Sequence, residues 1–187
     1  LMNKLAKGGP VHAKYRRMIV VYLDITAPLY WWKEFDTYKV GTVANSCSTM
    51  HTLKNNPITL DCFELGDFEN IPFPKEYQRP DAKSNCDEDF IQMCLIPYLE
   101  SLRLRYKETG DKKYWKELIR WTPNAWLQTR TVTMTYENLL AMCSPGQRRF
   151  HKLTEWSGVD YMVNPSFIGF ARQLPYAQSF IFIDELK

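Results

Sequence analysis

The chain has 187 residues, a length that suits one domain. It is 45% hydrophobic and 14% aromatic, which is enough for a buried core, and its formal net charge is only +3. So small a charge does not indicate nucleic-acid binding, whereas a small anionic ligand stays open. Because no apolar run approaches the ~20 residues that a membrane span needs, we expect no membrane association.

The cysteines and histidines predict neither a disulfide framework nor a metal site. The cysteine count is odd and no pair has the C-x-x-C spacing of a zinc or redox site, so we expect free thiols and a cytoplasmic protein. The five cysteines are Cys47, Cys62, Cys86, Cys94 and Cys143. The three histidines are scattered along the chain, and we predict no metal ligands among them: His12, His51 and His151.

The first forty residues predict a helix, a strand and a second helix. Residues 1–8 are typical of a helix end that Gly8-Gly9-Pro10 terminates, and we expect further residues before Leu1. Residues 18–25, MIVVYLDI, predict a largely buried strand. Residues 29–39 predict a helix whose core-facing side chains are Trp31, Trp32 and Phe35.

The next segments are the least regular of the chain. Residues 34–53 are polar and rich in hydroxyl groups, and they show neither the alternation of a strand nor the apolar stripe of a helix. Residues 55–88 hold four prolines and many acidic residues, which indicates an irregular surface insertion.

Helical patterns dominate the second half. A helix is predicted from Asp87 to Gly110, with Pro97 as a kink, and another over 111–120 with Asp111 as its N-cap. The alternating, threonine-rich residues 127–134 predict a strand, and Thr135 then caps a helix over 135–143.

Residues 147–156, QRRFHKLTEW, are expected to be helical again, which would pair His151 with Glu155 four residues later. The tail, 157–187, is divergent and holds one apolar run. This order of elements favours a single α+β domain over 1–187, with a small mixed or antiparallel sheet and a helical layer.

One segment resembles a motif of a known enzyme superfamily. The flavin-dependent thymidylate synthases (thymidylate synthase complementing proteins) carry a loop of the form Arg-His-Arg-x-x-Ser-x-Asn-x-x-Ser-x-Arg-Tyr. Residues 37–51, TYKVGTVANSCSTMH, are similar to that loop with one residue added, Ala44. Asn45 and Ser48 match it in spacing and type.

Other positions extend the likeness. Lys39 stands at the third basic residue of the loop, Thr42 at its first serine, and Glu34 at a glutamine that the family places shortly before it. Further segments resemble the family in the same order along the chain: 8–17, 117–123, 127–135, Asn138-Leu139 and 148–156.

The resemblance implies a function and a set of site residues. The family transfers a one-carbon unit from methylenetetrahydrofolate to carbon 5 of dUMP, with FAD and NADPH, without an obvious side-chain nucleophile; Ser48 is the one candidate here. Candidate nucleotide-binding residues are Glu34, Lys39, Asn45, Ser48, Arg148 and Arg149. Candidate cofactor-binding residues are His12, Thr42, His51, Arg130 and Asn138. A homotetramer is also implied.

The departures from the motif leave alternatives open. Thr37-Tyr38-Lys39 replaces Arg-His-Arg, and Met50-His51 replaces Arg-Tyr. Arginine binds phosphate through two parallel hydrogen bonds, which lysine cannot reproduce. One alternative is a non-catalytic nucleotide-binding or interaction protein of the same fold, and another is a pyrimidine hydroxymethyltransferase. Cys47, beside Ser48, is interpreted as a small buried hydrophobic residue and not as a nucleophile.

Overall fold

The computed structural model describes residues 1–9, 11–46, 49–65, 74–78, 80, 90–158 and 166–186, and of Met50 the backbone alone. It divides the chain into two units. Unit 1 comprises Leu1–Thr26, Tyr30–Ser46 and Thr129–Lys187, and unit 2 comprises Ala27–Leu29 and Cys47–Gln128. Ser48 and Cys47 lie outside the described residues, as does much of the predicted insertion. The single domain over 1–187 stays a prediction.

Three strands form the sheet, in the order β1-β3-β2: β1 (Val20–Pro28), β2 (Val43–Ser46) and β3 (Leu127–Thr135). β2 runs antiparallel to β3.

Side-chain bonds between β1 and β3 give the direction of that pair. Asp24 accepts from the Thr131 hydroxyl at 2.5 Å, and Thr26 lies 2.7 Å from Thr129, oxygen to oxygen. Because the residue numbers of the partners rise along β1 while they fall along β3, this pair is antiparallel too. The chain therefore has the α+β architecture that the sequence predicts.

The predicted burial of the first strand is wrong. Along β1, Val20, Tyr22 and Asp24 are exposed and alternate with half-buried neighbours. An apolar run does not distinguish a strand buried on both faces from an edge strand buried on one, and β1 lies at the edge of the sheet. The predicted end of this strand at residue 25 is also wrong, since β1 extends to Pro28.

The polar segment 34–53 contains regular structure that its sequence does not predict. β2 has four exposed residues, and the helix α3 (Thr49–Asn55) follows. β2 owes its form to pairing, with Val43 opposite Thr133 and Ser46 opposite Arg130, so it shows no apolar alternation of its own.

The helices of unit 1 are short. They are α1 (Met2–Lys7), α2 (Leu29–Phe35, from Tyr30 in this unit), α6 (Tyr136–Met142), α7 (Pro145–Phe150), α8 (Thr154–Ser157), α9 (Phe167–Arg172) and α10 (Ala177–Phe180). Among the described residues, unit 1 also contains two 3₁₀ segments, Lys14–Met18 and Ile183–Leu186. No helix among the described residues has the length and apolarity to cross a membrane.

An aromatic core holds these short helices together. Trp31, Trp32 and Phe35 of α2 are buried, as the sequence predicts. Trp31 packs against Trp156 with ring centroids 5.1 Å apart, and Trp156 packs against Phe167 at 4.7 Å. Helices of four to seven residues are too short to be stable alone, so this packing supplies their stability.

The predicted continuous helix over 147–156 is wrong. α7 ends at Phe150, His151 has extended backbone angles, and α8 begins at Thr154. The Leu153 N–H donates to His151 Nδ1 at 3.1 Å. A side chain that binds the nearby backbone competes with the helical hydrogen bonds, so the chain turns here.

Unit 2 contains α3, a π-helical turn (Ile91–Leu95), α4 (Ile96–Thr109) and α5 (Lys112–Trp121). The π turn stands directly before Pro97, where the sequence predicts a kink. Gly110, at φ +68°, ends α4, and Asp111 caps α5 by accepting from Lys113 N at 2.9 Å, as predicted. The hydrophobic core of unit 2 is formed by Leu53, Ile58, Phe63, Leu99, Leu102, Leu118 and Trp126.

Candidate functional site

A cleft of about 670 Å³ lies in unit 1, between α2 and the segment 144–153. Its walls combine two aromatic rings, two lysines, a carboxylate, an imidazole and neutral hydrogen-bonding groups. The polar and aromatic side chains that line it are Tyr30, Lys33, Glu34, Ser144, Gln147, Phe150, His151 and Lys152. This mixture suits a small ligand with a ring and an anionic group.

His151 and Glu34 lie next to each other in the wall of the cleft. His151 Nε2 lies 3.4 Å from Glu34 Oε1, and the side chains are 9% and 32% exposed, respectively. Since His151 Nδ1 accepts from Leu153 N–H, the proton of the neutral ring is on Nε2, the ring nitrogen nearer to the carboxylate. The predicted partner of His151 is wrong, because Glu155 accepts from the Tyr30 hydroxyl instead.

Stacked rings fix the orientation of His151. Its ring lies parallel to Trp156, with centroids 5.2 Å apart and an angle of 14°. Tyr38 stacks on the same tryptophan at 5.6 Å. The Trp156 indole N–H donates to the Met142 carbonyl at 3.1 Å, which holds the whole stack against α6. Burial raises the pKa of Tyr38, the nearby Glu34 charge adds to this, and Tyr38 therefore remains a neutral phenol.

Residues 37–42, which stand at the start of the family's arginine-rich motif, are closed by internal hydrogen bonds. The Thr37 hydroxyl donates to the Glu34 carbonyl at 2.8 Å, and the Thr42 hydroxyl donates to the Tyr38 carbonyl at 2.7 Å. Lys39 is exposed. At the first two positions of the motif, the Thr37 hydroxyl thus binds the protein itself, and the Tyr38 ring stacks on Trp156.

Asn138 fastens this loop to the start of α6. Its Oδ1 accepts from both the backbone N–H and the hydroxyl of Thr135, at 2.9 and 2.7 Å, and its Nδ2 donates to the Val40 carbonyl. The predicted N-cap at Thr135 is confirmed as a capping box. Gly41, at φ +84°, passes so close that a Cβ there would lie 3.1 Å from Asn138 Oδ1.

Two of the predicted arginines, Arg130 and Arg148, also form contacts within the protein. The Arg130 guanidinium lies 4.3 Å from the Trp32 ring centroid and 3.1 Å from Asp36 Oδ1. Arg148 donates to the Cys143 carbonyl at 2.6 Å and forms ion pairs with Asp184 and Glu185. Arg149, the other member of the predicted anion-binding pair, is exposed on α7.

The remaining predicted site residues lie elsewhere. Asn45 is exposed on β2 opposite Thr131, His12 is exposed in the turn before the first 3₁₀ segment, and His51 is exposed on α3 in unit 2. Of the predicted site residues that the structure describes, Glu34 lines the cleft.

Several cleft residues are absent from the sequence-based prediction. Tyr30 and Lys33 are two of them; Tyr30 precedes Lys33 by three residues and the predicted Glu34 by four, a helical spacing that is a usable signal once 29–39 is predicted as a helix. Gln147, His151 and Lys152 give no such signal, because the sequence predicts a continuous helix over 147–156 where the chain turns at His151.

Cys143 is not a reactive thiol, and no metal site is found among the described residues. Burial raises the pKa of the Cys143 thiol to about 12, so it is a protonated core side chain and no nucleophile. In the part of the chain that the structure describes, no three histidine, cysteine or acidic side chains are placed to hold a metal ion.

Three of the five residues that the resemblance assigns to flavin do not fit that cofactor as they stand, and the other two, His12 and His51, are exposed. The Thr42 hydroxyl, the Arg130 guanidinium and the Asn138 amide are each used in hydrogen bonds or ion pairs within unit 1. A flavin phosphate needs donors that are directed outward, and Tyr38 and Thr37 supply none in place of the family's arginines.

Comparisons with known proteins bear on the fold. No protein-family model matches the chain, and no curated protein matches it. Among solved structures, the chain is similar to thymidylate synthase X (ThyX) from Helicobacter pylori, crystallised with FAD and dUMP. The TM-score is 0.58 at 14% sequence identity, over 100% of this chain and 83% of that one. An identity this low shows the fold alone, so the chain has a ThyX-like α+β fold.

Proposed function

We propose that the cleft of unit 1 binds a pyrimidine nucleotide, and that the protein is a diverged relative of the flavin-dependent thymidylate synthases. The observation that carries the proposal is the composition of the cleft within a ThyX-like fold. It holds Glu34, which stands at the family's glutamine position, beside aromatic rings and lysines. The solved neighbour with this fold was crystallised with dUMP.

Each part of a nucleotide has a matching group in the cleft. Phe150, whose surface is 80% exposed, and Tyr30 offer rings on which a base can stack. Lys33 and Lys152 offer cations for a phosphate, which lysine binds as a point charge. Ser144 and Gln147 supply neutral donors and acceptors for the sugar or the base.

Binding of dUMP is the first test. Isothermal titration calorimetry should show dUMP binding, with a weaker signal for deoxyuridine, which lacks the phosphate. Lys152→Met should weaken dUMP binding about 10-fold, since it removes one charge-assisted bond. Lys116→Met is the matched control: it removes an exposed lysine of α5 in unit 2 and should leave the affinity unchanged. A protein that binds no nucleotide would refute the proposal.

A second candidate function is the full thymidylate synthase reaction, the transfer of a one-carbon unit from methylenetetrahydrofolate to carbon 5 of dUMP. The fold likeness to an enzyme crystallised with FAD favours it, whereas the internally bonded Thr42, Arg130 and Asn138 oppose it. A visible absorbance spectrum of the purified protein separates the two. A flavin spectrum and a methylated product by mass analysis would support the thymidylate synthase reaction. A hydroxymethylated product would support a pyrimidine hydroxymethyltransferase. A colourless, inactive protein would support the non-catalytic form.

A further inference from the structure

His151 and Glu34 form a donor and acceptor pair that is left incomplete. Their closest atoms are 3.4 Å apart, beyond the 2.7–3.2 Å of an ordinary N–H···O bond. Within the described part of the chain, no group donates a hydrogen bond to the Glu34 carboxylate. Both groups therefore retain hydrogen-bonding capacity at the surface of the cleft.

The donor of this pair has one fixed direction. Leu153 N–H occupies Nδ1, and the parallel stack on Trp156 sets the plane of the imidazole. His151 is mostly buried, so its ring can be reached from the cleft chiefly at Nε2. The bond at Nδ1 and the stack on Trp156 fix the ring before a ligand arrives. Nε2–H is therefore a preorganised hydrogen-bond donor, and a ligand does not have to reorient the ring.

We propose that His151 and Glu34 together bind the hydrogen-bonding edge of the base. The carboxylate of Glu34 accepts the ring N3–H of a uracil-type base, and Nε2–H of His151 donates to the adjacent carbonyl oxygen. An N–H beside a C=O is the complement of an acceptor beside a donor, and the bond to the carboxylate is charge-assisted. This inference rests on the proposed nucleotide function and adds the residues that select the base.

The cations of the cleft are separate from the pair. Lys152 follows His151, and Lys33 precedes Glu34, so each member of the pair has a cation next to it in sequence. Both lysines are exposed and line the cleft, so either can bind the phosphate while His151 and Glu34 hold the base edge. The affinity for the base and the affinity for the phosphate are then separable by substitution.

The test compares dUMP with its N3-methyl derivative, which has no N3–H, by calorimetry on the intact chain. The wild type should bind dUMP about 10- to 100-fold more tightly than the derivative, the value of one charge-assisted bond. Glu34→Gln should reduce this ratio to about threefold or less, because it removes the charge of the acceptor. His151→Phe, which keeps a ring on Trp156, should weaken the binding of both ligands by a similar factor, because it removes the bond to a carbonyl oxygen that both contain. Glu108→Gln, on the exposed surface of α4, is the control and should preserve the ratio.

The outcomes separate this inference from the proposed function. If the wild type binds no dUMP, both are overturned. If it binds dUMP and the N3-methyl derivative equally, if the preference survives in Glu34→Gln, or if His151→Phe binds dUMP as tightly as the wild type, the nucleotide function stands and the His151–Glu34 assignment fails. A far-ultraviolet circular dichroism spectrum shows that each variant is folded, and Glu34→Gln, at a partly exposed position, provides the test should His151→Phe not fold.

Discussion

Removing the charge of Glu185 should destabilise the protein in a pH-dependent way. Arg172 donates to both Glu185 oxygens, at 2.9 and 2.7 Å, and Arg148 Nε lies 3.2 Å from Oε1. These contacts join the last 3₁₀ segment to α9 and to α7, which forms a wall of the cleft. The hydrogen bonds from Arg172, with the charge of Arg148 added, lower the pKa of the Glu185 carboxyl to about 2.

The size of the effect follows from that pKa. A fall from 4.5 to about 2 corresponds to at most about 3.4 kcal/mol, since one pKa unit is 1.36 kcal/mol. The Glu185 side chain is 29% exposed, so solvent screening reduces this to about 2 kcal/mol. Because the folded-state pKa is the lower one, the contribution is fully present above pH 4.5 and is lost as the pH falls toward 2.

Urea unfolding of Glu185→Gln and the wild type should therefore differ by about 2 kcal/mol in free energy of unfolding at pH 7. At pH 3 we expect about three fifths of that difference to be lost, because the carboxyl of the unfolded wild type is then protonated. Glu108 has no arginine partner of this kind among the described residues. Glu108→Gln should therefore have the same free energy of unfolding as the wild type at both pH values. An equal loss for Glu185→Gln at pH 7 and pH 3 would refute the electrostatic reasoning and indicate a packing role.

Two further changes test the loop beside the cleft. Gly41→Ala should lower the free energy of unfolding by about 1–2 kcal/mol, because the φ of +84° is unfavourable for any residue with a Cβ and Asn138 lies within 3.1 Å of that position; a neutral result in urea unfolding would show that the loop relaxes freely. Thr135→Ala should cost about 1 kcal/mol through the lost cap of α6, and Thr135→Ser, which keeps the hydroxyl, should recover most of it. Equal losses for the two Thr135 variants would exclude capping as the cause.

Features set by neighbouring residues could be predicted from the sequence. Thr135 and Asp111 cap their helices as expected, because a capping side chain binds backbone groups two or three residues away. Trp31, Trp32 and Phe35 are buried as expected, since helical spacing places them on one apolar face.

The cleft depended on contacts between distant segments. Glu34 was predicted as a site residue through a resemblance, but its partner His151 lies 117 positions later in the chain. The expected His151–Glu155 pair assumed a helix that ends at Phe150. Arg130 and Asn138 were predicted from the same resemblance, and their bonds to Asp36 and Val40 could not be derived from spacing.

The sequence by itself determined the helix caps, the apolar faces and the α+β order of elements, because hydrogen bonds and side-chain periodicity within a few residues specify them. Only the tertiary structure decided which polar groups face the cleft and which are used within the protein. The physical reason is that a charged or polar side chain binds whichever partner folding brings near, and that partner is in most cases remote in sequence.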